Sequence, residues 1–198
     1  WSELFNSTTK DFISAKLDER DLRHEKQGGQ RYMVEPNVKE GKGGLRDLQS
    51  LFWIAKYLYR VKEHSELVKL GMLRKDEFIK FQKAESFLWA IRCHLHILTK
   101  RPSDQLSFDL QVEIATKLGY QDTKARRAVE VFMQDYFTHA TRVGDITRIF
   151  LTALEAKHVK EMPLLQRIFR RLPQVKDPYT VLQNRLSVKS FEVFLVDK

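Results

Sequence analysis

The sequence predicts an all-α fold, an up-and-down bundle of about five to six helices followed by an irregular C-terminal tail. Two observations support this prediction. Apolar residues recur at three- and four-residue spacing along most of the 198 residues, and glycines and prolines fall between these segments. A composition of 42% hydrophobic and 31% charged residues is also enough for one buried core.

Glycine, proline and helix-capping residues set the predicted bounds of each helix. Gly144 lies inside the longest pattern and is a candidate bend or break. The predicted helices cover about 3–26, about 45–61, a short segment between Ser65 and Gly71, a long segment from Phe78 to Leu98 that Pro102 ends, a segment between Ser107 and Gly119, more than about 30 residues from Asp122, and a short piece after Pro163.

The chain is predicted to comprise a helical domain at residues 1–160 and a C-terminal helix and linker at residues 161–198. Beyond Pro178 the pattern becomes strand-like or irregular. The chain opens on Trp1 without a signal segment and ends on the apolar stretch FEVFLVDK. We therefore expect it to be a piece of a longer protein.

Composition narrows the class of partner. A net charge of +9 and a pI near 9.6 favour an anionic partner such as a nucleotide, a nucleic acid or an acidic protein. Aromatic residues are not interleaved with basic ones, so we expect no nucleic acid as partner. Lys56 interrupts the longest apolar run, so no membrane span is predicted. The single Cys93 excludes a disulfide framework and fits a cytoplasmic protein.

The segment EPNVKEGKGGLRDLQ, residues 35–49, precedes an apolar helical run. A helix start carries partial positive charge, so Asp47 is expected there and Arg46 is not. The glycines match neither the P-loop nor the dinucleotide-binding motif. Consecutive glycines at a helix start can nevertheless direct backbone N–H groups at an anion.

Two interpretations of this segment stay open from the spacing alone. The first is a phosphate cradle, and the second is a tight helix start whose charged side chains are solvated. The predicted phosphate-binding residues are Lys39, Lys42, Gly43, Gly44 and Arg46.

Other polar clusters indicate structure rather than catalysis. His94 and His96 are two residues apart and point to different helix faces, so they cannot bind one metal ion together. Arg92 and His96 are four residues apart, and we expect them to face a shared polar seam. No spacing of carboxylates indicates a catalytic pair, and no metal site is predicted in this chain.

Several separated blocks together resemble one enzyme family. They are VEPNVKEGKGGLRDLQSLFWIAKYLY, ELVKLGML, FLWAIRCHLHILTKRPSDQLSFDLQVEIATKLGY and VEVFMQDYFTHATRV, which lie within roughly residues 12–150. The sequence is similar to the bifunctional uridylyltransferases and uridylyl-removing enzymes that modify the nitrogen-signalling protein PII. The glycine block alone resembles the glutamine synthetase adenylyltransferases more loosely, and their equivalent domain is an alternative.

The resemblance implies the helical domain that lies between a nucleotidyltransferase domain and a phosphohydrolase domain. The whole enzyme would transfer UMP from UTP to PII and remove it again, with glutamine as effector through other domains and Mg²⁺ bound by domains absent here. This domain would hold UTP phosphates and position PII; the alternative is a non-catalytic connector. Residues expected to support the phosphate-binding motif are Glu35, Asn37, Asp47, Arg92 and His96.

Overall fold

The computed structural model describes the backbone of residues 2–158, 179–182 and 185–188, and the side chains of residues 11–154. The described part contains six helices, so the predicted all-α bundle is confirmed. None of these helices is both long and apolar enough to cross a membrane. The elements are α1 (Ser2–Lys26), α2 (Leu45–Tyr59), α3 (Glu66–Lys69), α4 (Lys75–Thr99), α5 (Phe108–Lys117), α6 (Ala128–His158), β1 (Tyr179–Leu182) and β2 (Arg185–Val188).

The chain divides into two compact units, Trp1–Phe150 and Leu151–Lys198. In the second unit β1 and β2 form an antiparallel pair, where the sequence after Pro178 predicts strand-like or irregular structure. The short helix predicted after Pro163 lies outside the described residues. The predicted domain boundary after residue 160 lies outside them as well.

Apolar residues three or four positions apart form the core of the first unit. They line one face of each helix, and that face points inward. Full burial of a leucine or phenylalanine side chain stabilises the fold by about 1.5 to 3 kcal/mol relative to exposure. The buried residues include Ile13 and Leu17 of α1, Leu45, Leu48 and Leu51 of α2, Phe81, Leu88, Ile91 and Leu95 of α4, and Phe132, Tyr136, Ala140 and Val143 of α6.

Helix α6 runs through Gly144 without interruption, so a break of the helix there is wrong. The glycine has a different role. A Cβ atom added to it would lie 2.8 Å from Cζ of Arg31, inside the space that the guanidinium occupies. Gly144 therefore makes room for a side chain from the connection between α1 and α2.

The connection between α1 and α2 packs against the segment that precedes α5. Asn37 and Gln105 form an isolated antiparallel β-bridge. Next to it, the Val38 N–H group donates to the carbonyl oxygen of Asp104 at 2.8 Å. These hydrogen bonds bring the glycines before α2 close to the end of α4.

Candidate functional site

The glycine loop, residues 37–44, makes a tight approach to α6. Gly43 has a φ of +84°, in the left-handed region that favours glycine. A Cβ atom there would overlap the carbonyl group of Ala140, with only 2.9 Å to its carbon. A Cβ atom on Gly44 would lie within 2.9 Å of three carbonyl oxygens of the same loop. Both glycines are therefore required by the packing of this loop.

The N–H groups at the start of α2 are hydrogen-bonded within the chain. The donors and acceptors are Gly43 N–H to Asp47 Oδ2 at 2.9 Å, Gly44 N–H to Gly41 O at 2.9 Å, Leu45 N–H to Val38 O at 3.1 Å, and Arg46 N–H to Lys39 O at 2.9 Å. A phosphate cradle formed by the glycines requires the N–H groups of Gly43 and Gly44 to converge on an open anion site. This predicted geometry is wrong, because the loop folds back and supplies the acceptors of both N–H groups itself.

Asp47 ties the end of α1 to the start of α2. Its side chain is buried, and it accepts hydrogen bonds from Arg23 Nη2, from His24 Nε2 at 2.9 Å and from the Gly43 N–H group. Burial alone would raise the pKa of Asp47. The hydrogen bond and charge of His24, the Gly43 N–H group and Arg23 outweigh burial and lower that pKa below its ordinary value.

Arg46 has its counter-charge inside the loop. Its Nη2 atom lies 3.2 Å from Oε1 of Glu40, and its Nη1 atom lies 3.2 Å from Oε1 of Gln49. Its guanidinium carbon is 5.5 Å from the centre of the Trp53 ring, within the range of a cation–π contact. The anion that an arginine in a first helical turn requires is thus supplied by Glu40.

Lys39 connects this pair to a second carboxylate. Its Nζ atom is 3.4 Å from Glu40 and 3.9 Å from Asp104. Arg92 Nε and His96 Nε2 contact Oδ1 of Asp104 at 2.8 and 3.2 Å, so the shared face predicted for these two residues is confirmed. Partial burial would raise the pKa of Asp104, but the two hydrogen bonds and the positive charges of Arg92 and Lys39 lower it.

These contacts form one ion-pair network around the glycine loop. Arg23 completes it, because its Nε atom lies 3.7 Å from Glu40. The network therefore holds four permanent cations and three carboxylates, so positive charge is concentrated at the loop but largely compensated. Its cations are Arg23, Lys39, Arg46 and Arg92, and its carboxylates are Glu40, Asp47 and Asp104.

Glu35 and Asn37 shape the loop. Oε1 of Glu35 accepts a hydrogen bond of 2.9 Å from the Phe108 N–H group, at the first residue of α5. Oδ1 of Asn37 accepts from the N–H groups of Lys39 and Glu40 at 3.1 and 2.7 Å. Both residues satisfy backbone donors that would otherwise lack partners, which is the role of a capping side chain.

Lys42 lies apart from the other predicted phosphate-binding cations. It lines a polar cleft of about 240 Å³ together with Lys26 and Arg31. Neither Lys39 nor Arg46 lines this cleft. The structure therefore assigns the predicted basic residues to two separate places.

Several residues of the site were not predicted. Arg23 and His24 lie in the last turn of α1, where basic residues are favourable for any helix. Asp104 and Arg31 come from segments without regular structure, so only their contacts reveal them. The basic last turn of α1 was the one signal in the sequence that could have indicated a partner for Asp47.

Two further features of the described residues bear on ligand binding. No group of three histidine, cysteine, aspartate or glutamate residues in that part of the chain is arranged to hold a metal ion. An apolar groove of about 460 Å³ lies beside Tyr32, Phe108 and Val112. Its one charged lining residue is Glu130, so it offers no cation to a phosphate.

Comparison with known proteins identifies the family. The family model described as GlnD PII-uridylyltransferase matches residues 11–151. A bifunctional uridylyltransferase/uridylyl-removing enzyme from Ruegeria pomeroyi is 63% identical over 197 residues, which cover 100% of this chain and 22% of the relative. A protein of the same description from Cereibacter sphaeroides is 59% identical over 198 residues, 100% of this chain and 21% of the relative. The chain thus spans about a fifth of these relatives, and no solved structure matches it. The chain therefore belongs to the GlnD PII-uridylyltransferase family.

Proposed function

We propose that this chain is the central helical domain of a cytoplasmic enzyme that uridylylates PII and removes the uridylyl group. The proposal is supported by relatives that are 59% and 63% identical and are described as bifunctional uridylyltransferase/uridylyl-removing enzymes. UTP would donate the uridylyl group. Glutamine as effector and Mg²⁺ as cofactor would act through other parts of the polypeptide, since the chain spans only 21 to 22% of its relatives.

Within that enzyme we propose that Lys39 and Arg46 contact the phosphates of UTP while the domain positions PII beside it. The observation that carries this proposal is that both cations contact one oxygen of a single carboxylate, Oε1 of Glu40. The three groups together keep one positive charge. The side chains of Arg46 and Lys39 are 24% and 28% exposed, so a phosphate can reach both.

The fixed position of Arg46 suits it to this role. Trp53 and Gln49 contact its guanidinium, which limits the entropy that a bound phosphate would have to remove. The planar fork of an arginine also matches two phosphate oxygens, which a lysine cannot do.

A connector without nucleotide contact is the second candidate function. It is favoured by a specific observation: the N–H groups of Gly43, Gly44 and Arg46 all have acceptors within the chain. In that case the ion-pair network would only hold the end of α1 against the start of α2.

The substitution Arg46→Ala in the full-length enzyme separates the two functions. If Arg46 contacts UTP, kcat/KM for UTP should fall at least about tenfold, a loss of about 1.4 kcal/mol of transition-state stabilisation. Steady-state kinetics at saturating PII measure this. The matched control is Arg101→Ala, which removes an exposed arginine with no ion pair within the described residues.

Unchanged kcat/KM in a folded Arg46→Ala enzyme would decide for the connector. Circular dichroism and the thermal midpoint of the full-length variant show whether the fold is intact. Arg46→Lys adds a further test, since retained charge without the fork should restore only part of the activity.

A further inference from the structure

The polar cleft beside Lys42 has the composition of an anion site. It lies between the end of α1, the connection to α2 and the glycine loop. Four charged residues line it: Lys26, Arg31, Lys42 and Glu35. The cleft thus carries three positive charges and one negative charge, unlike the ion-pair network, in which the charges nearly balance.

The three cations of the cleft have no ion pair within 4.0 Å among the residues that the structure describes. Glu35 forms no ion pair with any of them, its Oε1 atom accepts the Phe108 N–H group at 2.9 Å, and its single negative charge offsets only one of the three positive charges. Cations gathered in a concave site without counter-charge repel one another, and a bound anion removes that repulsion.

Arg31 lines the cleft and packs its guanidinium against α6. Its guanidinium occupies the space that a Cβ atom would take on Gly144, and a Cβ there would lie 2.8 Å from Cζ of Arg31. The Nε atom of Arg31 is buried and has no hydrogen-bond partner. A buried donor without an acceptor is unfavourable in a protein, and here it leaves the charge of Arg31 without a partner, which an anion in the cleft would offset.

We propose that the polar cleft is a second anion site, separate from Lys39 and Arg46, that binds a phosphate group. One guanidinium and two ammonium groups suit a tetrahedral anion with several oxygens better than a carboxylate with two. The phosphate could be free orthophosphate or belong to pyrophosphate, and the cleft recognises the chemistry that they share. This site is independent of the role proposed above for Arg46.

Lysine acetylation of the full-length protein, measured residue by residue by mass spectrometry, tests the proposal. Orthophosphate and pyrophosphate are added separately, with sodium chloride at equal ionic strength as reference. Saturating phosphate or pyrophosphate should slow the acetylation of Lys26 and Lys42 at least about threefold, because an occupied cleft shields both amines. The exposed Lys83 and Lys124 serve as internal controls and should react at unchanged rates.

Comparison of orthophosphate with pyrophosphate shows which of the two anions the cleft binds more tightly. Protection at an about tenfold lower concentration of pyrophosphate than of orthophosphate identifies a diphosphate site, and the opposite order identifies a monophosphate site. Protection of neither Lys26 nor Lys42, or equal protection of Lys83 and Lys124, would overturn the proposal.

The variant Gly144→Ala tests the cleft without changing any cation. The added methyl group should displace the Arg31 guanidinium and raise the half-protecting concentration at least about tenfold. Alanine is a better helix former than glycine, so α6 should stay folded, which circular dichroism can check. Unchanged protection in this variant would contradict the role of Arg31.

The variant Arg46→Ala tests whether the polar cleft is separate from the site of Lys39 and Arg46. It should leave the protection of Lys42 unchanged whether or not it affects the use of UTP. Loss of Lys42 protection in this variant would mean that the basic residues form one site, and the separate cleft would be rejected.

Discussion

Asp47 is the residue that links the most parts of the site. It is 3% exposed, yet three donors from α1 and the glycine loop keep its carboxylate charged. A buried ion pair is a weak source of net stability, but removing one partner leaves the other charge buried and uncompensated. Asp47 should therefore be sensitive even to a substitution that preserves its shape.

We predict that Asp47→Asn lowers the free energy of unfolding of the 198-residue chain by about 3 kcal/mol or more, because Arg23 and His24 lose the buried carboxylate nearest to them. Urea denaturation followed by circular dichroism measures this loss. Asp18→Asn is the matched control, since Asp18 is exposed and loses the same charge. Equal losses in the two variants would contradict the role given to Asp47.

The pKa of Asp47 also predicts how the difference in unfolding free energy between wild type and Asp47→Asn depends on pH. Because its pKa is lower in the folded chain than in the unfolded one, its carboxylate stabilises the fold fully above the unfolded value of about 3.9. The contribution declines as the pH falls from there through the folded pKa. The gap between wild type and Asp47→Asn should therefore narrow below about pH 4, and a constant gap down to pH 2 would contradict the lowered pKa.

At the scale of elements, the glycine loop joins α2 to α6 by close packing. Gly43 and Gly119 share a φ of +84°, so alanine is strained at both positions, by about 1 to 2 kcal/mol. They differ in their surroundings. A Cβ atom on Gly43 meets the backbone of Ala140, whereas a Cβ atom on Gly119 meets nothing within 4 Å.

We predict that Gly43→Ala destabilises the chain by about 1 to 3 kcal/mol more than Gly119→Ala, because α6 must shift to admit the methyl group. Urea denaturation of both variants gives the difference directly. Similar losses would show that the backbone conformation alone requires glycine at position 43, and that the approach to α6 contributes little.

The positions of the helices could be predicted from the sequence because their signals are local. Helix α2 begins at Leu45 directly after the glycines, as predicted, and α1 ends at Lys26, directly before the Gln27-Gly28-Gly29 segment. The start of α6 was predicted less well, because the helix begins at Ala128 and not at Asp122. Gly144 does not break the helix; it makes room for Arg31, a contact between residues far apart in the chain.

The partners of the site residues could not be predicted for the same reason. The sequence identified Arg46 as an unusual residue at a helix start, but its partner Glu40 depends on how the loop folds back. The four-residue spacing of Arg92 and His96 predicted their shared face, yet the acceptor Asp104 lies beyond the end of α4. Spacing within one helix is fixed by geometry, whereas contacts between segments require the fold.

At the scale of the whole molecule, the chain has a net charge of +9, and its two sites differ in how far carboxylates compensate their cations. Around the ion-pair network three carboxylates face four permanent cations, whereas in the polar cleft one carboxylate faces three. A long-range preference for anions thus acts on both sites, but of these two sites only the cleft has cations that form no ion pair with a described residue. Bound anions should therefore stabilise the chain through the cleft first.

The chain alone should carry no transferase or hydrolase activity, because it spans only 21 to 22% of its relatives. Its sequence also has no glycine followed by serine, the start of the nucleotidyltransferase signature expected for the family. We predict that incubating the 198-residue chain with PII, UTP and Mg²⁺ leaves the mass of PII unchanged, and that uridylylated PII keeps its modification. Mass spectrometry measures both, with the full-length enzyme as positive control. A uridylyl group gained or lost in a preparation free of full-length enzyme would show that this helical domain performs the chemistry itself, and would reject its role as a supporting domain.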